Sequence, residues 1–319
     1  MQSSSKLFPV SLASAELRDE LVEDVYLLRP GNSPDSSVEL ALTRLGPATG
    51  TVSGEPVVLL HGSFSNRRFW YSPRGIGFGP YLVSQGFDVW LAEMRGHGLS
   101  PKNNQYRANT VADYARFDLP AINQFVHEVT CKRPHWVGHS LGGTTLAAAL
   151  AGAYIGSNEV SSITLCGTQV SRRYLCLKIP PVQWLIRYWL RNKPSIAGYK
   201  FNRGPEDEPI GLVLESLKMH GLLGRFGGNH GNWWQGLLEV KTPALVIAAN
   251  HDTEDPAWAC RALHEQLGST LKQYICLGKA YGHQVNYGHV DMIVSKYAQK
   301  EVWPMIAHWL KHCQLEQPL

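Results

Sequence analysis

The sequence of 319 residues lacks the features that mark several large classes of protein. Its longest apolar runs, Val57 to Leu60 and Leu146 to Ala151, are far too short to cross a bilayer. No apolar run near the N-terminus could form the core of a signal peptide. The formal net charge is only +4 and is scattered, so there is no electrostatic case for binding nucleic acid. We therefore expect a cytoplasmic, globular protein without a nucleic-acid partner.

Metal and cofactor motifs are also absent. Two His-Glu pairs, at His127 and His264, begin the zinc pattern H-E-x-x-H, but the fifth position holds Cys131 in one and Gly268 in the other. No phosphate-binding G-x-x-x-x-G-K-[ST] sequence occurs. The six cysteines include no Cys-x-x-Cys pair, and three lie in or beside apolar runs, which favours buried free thiols. We predict no metal and no cofactor.

Apolar runs and helical stretches alternate along the chain. Residues 20–30 and 37–45 alternate apolar and polar positions, as half-buried strands do. Continuous apolar runs then follow in PVVLLHG, FDVWLAEMRG, PHWVGHS, SSITLCG, TPALVIAANHD and LKQYICLG. Helical segments separate several of these runs, for example near 79–85. This order predicts an α/β fold with a mostly parallel sheet and helices on both faces.

One motif carries chemistry. Residues 138–142 read Gly-His-Ser-Leu-Gly, which fits G-x-S-x-G directly after an apolar strand and directly before a helix-prone segment. In that context the serine sits on a sharp turn with its hydroxyl projecting, and the helix N-terminus favours developing negative charge. We predict that Ser140 is a nucleophile.

A base and an acid follow the nucleophile in chain order. His289 and Asp252 each lie in a loop after a predicted strand, at the sheet edge that also carries Ser140. His289 would accept the serine proton, and Asp252 would orient the imidazole. Other residues in the same loops remain possible. Glu254 and Asp255 are alternatives for the acid and are otherwise expected to be solvated or turn residues. His283 is the alternative for the base.

The loop after the first buried strand, HGSFSN, is the candidate oxyanion loop. One donor on such a site is the amide after the nucleophile, here Leu141. The second is predicted to be Ser63, with Phe64 as the second choice. Three histidines in turns, His61, His97 and His139, are expected to form local hydrogen bonds.

The segment 168–240 separates two predicted strands and is far longer than the roughly 10–12 residues of a simple crossover. We predict that 1–167 and 241–319 form the core and that 168–240 is an inserted cap. Trp184, Leu185, Tyr188 and Trp189 form one broad apolar helix face in it. That face either docks the cap on the core or lines a channel for an acyl chain.

The motifs together resemble a known family. HGSFSNRRFW, DVWLAEMRGHGLSP, GHSLGG and GHVDMIVSKYAQKEVWPMIAHWL look like the α/β-hydrolase superfamily of serine esterases and lipases. The pattern is closest to the acid-lipase and lysophospholipase-like branches. The resemblance implies hydrolysis of carboxyl esters by Ser140, Asp252 and His289, although GHSLGG departs from the GHSQG-type sequence of the acid lipases.

The expected partner is a small, lipophilic ester, with transient contact between the cap and a lipid surface. The sequence leaves the oligomeric state open. It also leaves open thioester cleavage and acyl transfer, which share the tetrahedral intermediate. From another class, a ligand-binding protein with a slow triad remains an alternative.

Overall fold

The predicted mostly parallel sheet is present and is extended by antiparallel strands at one edge. A computed structural model describes residues 10–18, 21–49, 54–171 and 174–315. Nine strands form the main sheet in the order β1-β2-β3-β5-β4-β6-β7-β10-β11. From β5 to β11 all neighbours are parallel, whereas β1, β2, β3 and β5 pair antiparallel. The α/β prediction is therefore confirmed.

The strands are β1 Val10–Arg18, β2 Leu21–Leu28, β3 Leu40–Pro47, β4 Pro56–Leu60, β5 Asp88–Ala92, β6 His135–His139, β7 Ser162–Cys166, β8 Ser195–Ala197, β9 Asp207–Pro209, β10 Ala244–Ala249 and β11 Lys272–Leu277. The sequence prediction begins at β2 and does not include strand β1. Its small and polar residues (VSLASAELR) form no continuous apolar run, so the pattern did not reveal it.

The helices are α1 Phe78–Ser84, α2 Val111–Asp113, α3 Leu119–Thr130, α4 Leu141–Ala151, α5 Pro180–Leu190, α6 Ile210–His220, α7 Trp233–Gly236, α8 Ala257–Gln266, α9 Asp291–Val294 and α10 Lys296–His312. A π-helical turn, Tyr114–Asp118, joins α2 to α3. The longest helix, α10, is capped by the preceding residue Ser295, whose hydroxyl accepts the amide of Ala298, a typical N-cap.

The sheet is buried on both faces because successive residues of a strand point to opposite sides. In β4, Val58 and Leu60 belong to one apolar cluster, and Val57 and Leu59 belong to the other. All four side chains are fully buried. This explains why β4 reads as a continuous apolar run rather than an alternating one.

The described residues of 168–240 contribute no strand to the main sheet. Strands β8 and β9 form a separate antiparallel pair, and a small apolar cluster of Leu190, Ile210 and Leu217 lies among the helices of this segment. Its last part returns to the main core, where Phe226 and Trp233 are buried. The extent of the cap remains a prediction.

Among the described residues, no helix combines the length and apolarity needed to cross a membrane. All six cysteines are free thiols. As the sequence suggested, three are buried, namely Cys166, Cys260 and Cys276.

Candidate active site

Ser140 occupies a strained turn between β6 and α4. Its φ and ψ are 52° and −119°, a region that residues other than glycine rarely adopt. The Ser140 amide donates to the carbonyl of Cys166 at 2.9 Å, which ties the turn to the neighbouring strand β7. The turn therefore has the geometry predicted from the motif.

Glycines make this turn sterically feasible. A Cβ atom on Gly138 would lie 2.7 Å from Cα of Gly143, and one on Gly142 would lie 2.5 Å from the Leu60 carbonyl oxygen. Both distances are shorter than a non-bonded contact allows, and the opposing atoms are backbone. Only glycine therefore lets strand, turn and helix approach so closely.

Asp252 and His289 meet at the same edge of the sheet. Nδ1 of His289 lies 2.7 Å from Oδ2 of Asp252. Burial lowers the pKa of His289, but the hydrogen bond and charge of Asp252 outweigh it, so the pKa ends above its ordinary value of 6.5. With Nδ1 protonated toward Asp252, Nε2 of the neutral ring is an acceptor.

Two of the three rivals for these positions, Glu254 and His283, lie elsewhere. Glu254 is exposed and forms an ion pair with Arg203. His283 bonds the backbone of Gly278 at 3.3 Å through Nδ1. Of the two histidines, the structure thus brings His289 to Asp252.

Asp255 is an unexpected neighbour of the nucleophile. The Ser140 hydroxyl donates to Oδ2 of Asp255 at 3.3 Å, and the side chain of Gln169 also hydrogen-bonds this carboxylate. Burial raises the pKa of Asp255 to about 6, against the opposing effect of His289. The reading of Asp255 as a solvated loop charge is therefore wrong, because its carboxylate is enclosed beside Ser140.

The loop after β4 packs against the nucleophile. A Cβ atom on Gly62 would lie 3.1 Å from Cβ of Ser140, which puts the adjacent Ser63 beside the site. Leu141 is the first residue of α4, so its amide has no acceptor within the helix. The amide of Phe64 instead donates to Oε1 of Glu208 at 2.6 Å. The amide of Ser63, unlike that of Phe64, does not donate to Glu208.

A hairpin of segment 168–240 holds this loop in place. Phe64 has a φ of 58°, and its carbonyl accepts the amide of Glu206 at 3.0 Å. The Asn66 side chain donates to the Glu206 carboxylate at 2.5 Å. Glu208 also lies 3.3 Å from Nε2 of His97, with both side chains buried. We call these contacts of Glu206 and Glu208 the loop clamp. No sequence motif indicated it.

The turn histidines support the backbone. Nδ1 of His61 bonds its neighbour Gly62 at 2.8 Å, and Nδ1 of His97 bonds the carbonyl of Arg95 at 3.2 Å. The prediction of local bonds is confirmed for these two. It is wrong for His139, whose Nε2 lies 2.9 Å from the carbonyl oxygen of His289. Burial lowers the pKa of His139 to about 3, so this ring stays neutral and fixes the backbone of the base.

In the described parts of the chain, no group of three or more His, Cys, Asp or Glu side chains could hold a metal ion.

The family model described as the alpha/beta hydrolase fold matches residues 55–207. Lipase member K of Homo sapiens is 36% identical over 110 residues, which are 31% of this chain and 27% of that protein. Gastric triacylglycerol lipase of Homo sapiens is 33% identical over 136 residues, which are 39% of this chain and 31% of that protein. The matches thus span about a third of the length of these curated relatives.

The fold is shared with solved structures over nearly the whole chain. A thermophilic esterase from Thermogutta terrifontis superimposes with a TM-score of 0.62 at 18% identity, covering 91% of this chain and 98% of the other. The resemblance noted in the sequence is confirmed by the family match and by the lipase relatives. The chain has the α/β-hydrolase fold, and part of it is similar in sequence to lipases.

Proposed function

We propose that this protein is a serine hydrolase that cleaves lipophilic carboxylic esters through an acyl-enzyme. The observation that carries the proposal is the 2.7 Å contact between His289 Nδ1 and Asp252 Oδ2, at the sheet edge where Ser140 occupies its strained turn. Such a pair leaves Nε2 of His289 ready to accept a proton. The names of the lipase relatives support ester hydrolysis and a lipophilic substrate.

The first half of the reaction forms the acyl-enzyme. The Ser140 hydroxyl turns from Asp255 toward His289, gives its proton to Nε2, and attacks the ester carbonyl carbon. The amides of Leu141 and Ser63 donate to the oxygen that becomes negative in the tetrahedral intermediate. His289 then returns the proton to the leaving alcohol as the ester bond breaks.

The second half repeats these steps with water. His289 accepts a proton from water, the resulting hydroxide attacks the acyl group, and Ser140 leaves with the proton returned to it. Asp252 stabilises the imidazolium in both halves. An acceptor alcohol in place of water would give acyl transfer, and a thioester would enter by the same route.

Labelling and turnover test the proposal together. A fluorophosphonate should attach to Ser140, as located by peptide mass mapping, and p-nitrophenyl butyrate should be turned over many times per molecule. Ser140→Ala should lose the label and nearly all turnover, whereas Ser157→Ala, at a half-buried serine in a turn, should keep both. Ser157 contacts the backbone of Lys241 rather than the site.

Two results would remove the proposal. One is a label at another residue, with Ser140→Ala still active. The other is a single stoichiometric burst without turnover, which would favour a ligand-binding protein with a slow triad. Product analysis in the presence of an alcohol or of an acyl thioester separates hydrolysis from acyl transfer and from thioesterase activity.

A further inference from the structure

Helix α5 presents an apolar face that is largely exposed. Trp184, Leu185, Tyr188 and Trp189 are 72%, 71%, 64% and 53% exposed. The opposite side of α5 does the packing, since Leu190 is buried in the small cluster of this segment. The prediction that this face docks the cap on the core is therefore wrong, and the face does not enclose a channel in this arrangement.

The exposed apolar surface continues on both sides of α5. Leu175 and Ile179 precede the helix and are 75% and 51% exposed, and Tyr199 and Phe201 follow it at 65% and 56%. We call these four residues and the four of α5 the cap face. A run of large exposed rings and aliphatic groups of this kind marks an interaction surface rather than ordinary protein surface.

The segment that carries the cap face is basic in sequence, and the carboxylate that lies beside it, that of Asp207, pairs with Lys102 at 3.6 Å. Between residues 174 and 205 the sequence has no Asp or Glu, and its six basic residues are Lys178, Arg187, Arg191, Lys193, Lys200 and Arg203. Within the described residues, only Arg203 of these six forms an ion pair with a carboxylate, that of Glu254. The other five positive charges are therefore available to an external anion.

Two of these cations lie on the exposed rings. The Arg191 guanidinium is 3.9 Å from the ring centre of Tyr188, and Nζ of Lys193 is 3.2 Å from that of Trp189. Aromatic rings with cations beside them suit the boundary between headgroups and acyl chains, where one part of the surface is apolar and the other is charged.

We propose that the cap face docks on the surface of a bilayer that contains anionic phospholipid. Trp184, Leu185 and Trp189 would enter the headgroup boundary, and the basic residues would lie at the level of the phosphates. A second copy of this chain fits the face less well, because like charges would then oppose each other. An acidic protein partner would complement the basic residues, but it would not explain why so many aromatic rings are exposed.

Docking would bring the bilayer close to the candidate active site. The Tyr199–Phe201 part of the cap face leads directly into Gly204, where a Cβ atom would lie 2.1 Å from the carbonyl oxygen of Phe64. The cap face is thus continuous with the loop clamp. The proposal goes beyond ester hydrolysis and does not depend on it, because the docking surface contains no proposed catalytic residue.

Vesicle cosedimentation tests the proposal. The full chain should bind vesicles in which roughly a third of the phosphatidylcholine is replaced by phosphatidylglycerol, and should bind pure phosphatidylcholine far less. Binding should weaken as salt is added, because surface charges are screened. The triple variant Arg191→Gln, Lys193→Gln, Lys200→Gln should lose about 100-fold in affinity for the anionic vesicles.

Matched variants control for charge and for folding. Lys296→Gln, Lys300→Gln, Lys311→Gln removes three exposed lysines of α10 and should leave binding unchanged. Trp184→Ser with Trp189→Ser should lower binding to the anionic vesicles. Trp258→Ser, at a tryptophan that is 60% exposed on α8, should not. Ser140→Ala should bind as the unmodified protein does, so a failure of the proposed hydrolysis leaves this test intact.

Several outcomes would overturn the proposal. Equal binding to neutral and anionic vesicles would remove the role of the basic residues, and full binding by the folded charge variant would do the same. Self-association of the chain that resists salt and disappears in the double tryptophan variant, measured by analytical ultracentrifugation, would assign the face to a second copy.

Discussion

The carboxylate of Glu208 accepts the amide of Phe64 at 2.6 Å, although 144 residues separate them in the sequence. Through this bond a strand outside the main sheet fixes the loop that carries the proposed oxyanion donor. The amide of Phe64 points to Glu208, so the preceding amide of Ser63 is the one that we propose as the oxyanion donor.

Glu208→Ala is expected to lower kcat by about tenfold and to change KM little. The reason is that a loosened Ser63 amide loses part of the 10²–10³-fold effect that one oxyanion donor commonly has. Glu208→Gln, which keeps an acceptor, should lose less. Steady-state kinetics on p-nitrophenyl butyrate measure both, with Asp207→Asn in the same hairpin as the control. An unchanged kcat in folded Glu208→Ala would show that the loop holds its shape without the clamp.

The pH dependence of kcat/KM should reflect a base with a raised pKa. Burial lowers the pKa of His289 and Asp252 raises it more, so it lies above 6.5 in the folded protein. Because the neutral ring is the reactive form, kcat/KM should fall as pH drops through that pKa and level off above it. A rate profile from pH 5 to 9 checks this. A midpoint at or below 6.5 would contradict the raised pKa, and a fully active His289→Ala would move the role to His283.

Replacing the orienting acid should be far more costly than replacing its exposed neighbour. Asp252→Asn is expected to lower kcat by about 10⁴-fold, as the wrong imidazole tautomer does in serine hydrolases. Glu254→Gln should change kcat little, because its ion pair with Arg203 lies at the surface. Circular dichroism establishes that both variants are folded. Equal kcat values for the two would remove Asp252 from the proposed triad.

Asp255→Asn should separate the charge of this residue from its hydrogen bond. Burial lowers the pKa of His289 and Asp252 raises it, and the Asp255 carboxylate raises it further. Its loss should move the acid side of the kcat/KM profile to lower pH, while kcat stays within about tenfold of the unmodified protein. A loss of activity as large as that of Asp252→Asn, without a shift of the profile, would instead give Asp255 an essential role in the reaction.

Acyl esters of medium length should be better substrates than acetate. Each buried methylene contributes about 0.8 kcal/mol, so kcat/KM should rise with chain length until the acyl site is full, at roughly six to ten carbons. Because Trp184 is 72% exposed, Trp184→Ala should leave this preference for dissolved esters unchanged, contrary to a channel lined by α5. A series of p-nitrophenyl esters measures it. Acetate as the best substrate would contradict an apolar acyl site.

The positions of Ser140, Asp252 and His289 could be predicted because each follows a strand of the parallel part of the sheet, and parallel strands bring their carboxyl ends to one edge. The contact of Asp255 with Ser140 could not. Asp255 lies only three residues from Asp252, and whether its carboxylate turns outward or inward depends on the loop backbone. That backbone is set by Oδ1 of Asp252, which accepts the amides of Glu254 and Asp255 at 2.9 Å each.

The loop clamp was equally hidden from sequence patterns. Glu208 lies in a run of acidic residues, EDE, that reads as solvated surface, yet only 1% of its surface is exposed. Its burial depends on His97, which approaches from the core. Burial lowers the pKa of His97, and the charge of Glu208 outweighs that effect and raises it above 6.5. Pairing across such a distance leaves no periodicity or spacing by which a sequence could show it.

The bond between Glu208 and Phe64 also makes the hairpin and the oxyanion loop one thermodynamic unit. Coupling between two sites is reciprocal. If the docked hairpin raises the affinity for an oxyanion by some factor, a bound oxyanion strengthens the docking of the hairpin by the same factor. A tetrahedral adduct on Ser140 would therefore hold β9 against the core, and displacement of β9 would weaken the adduct's stabilisation by the same factor. Binding at the nucleophile would in this way be communicated to the outer surface of the protein without any change in the central sheet.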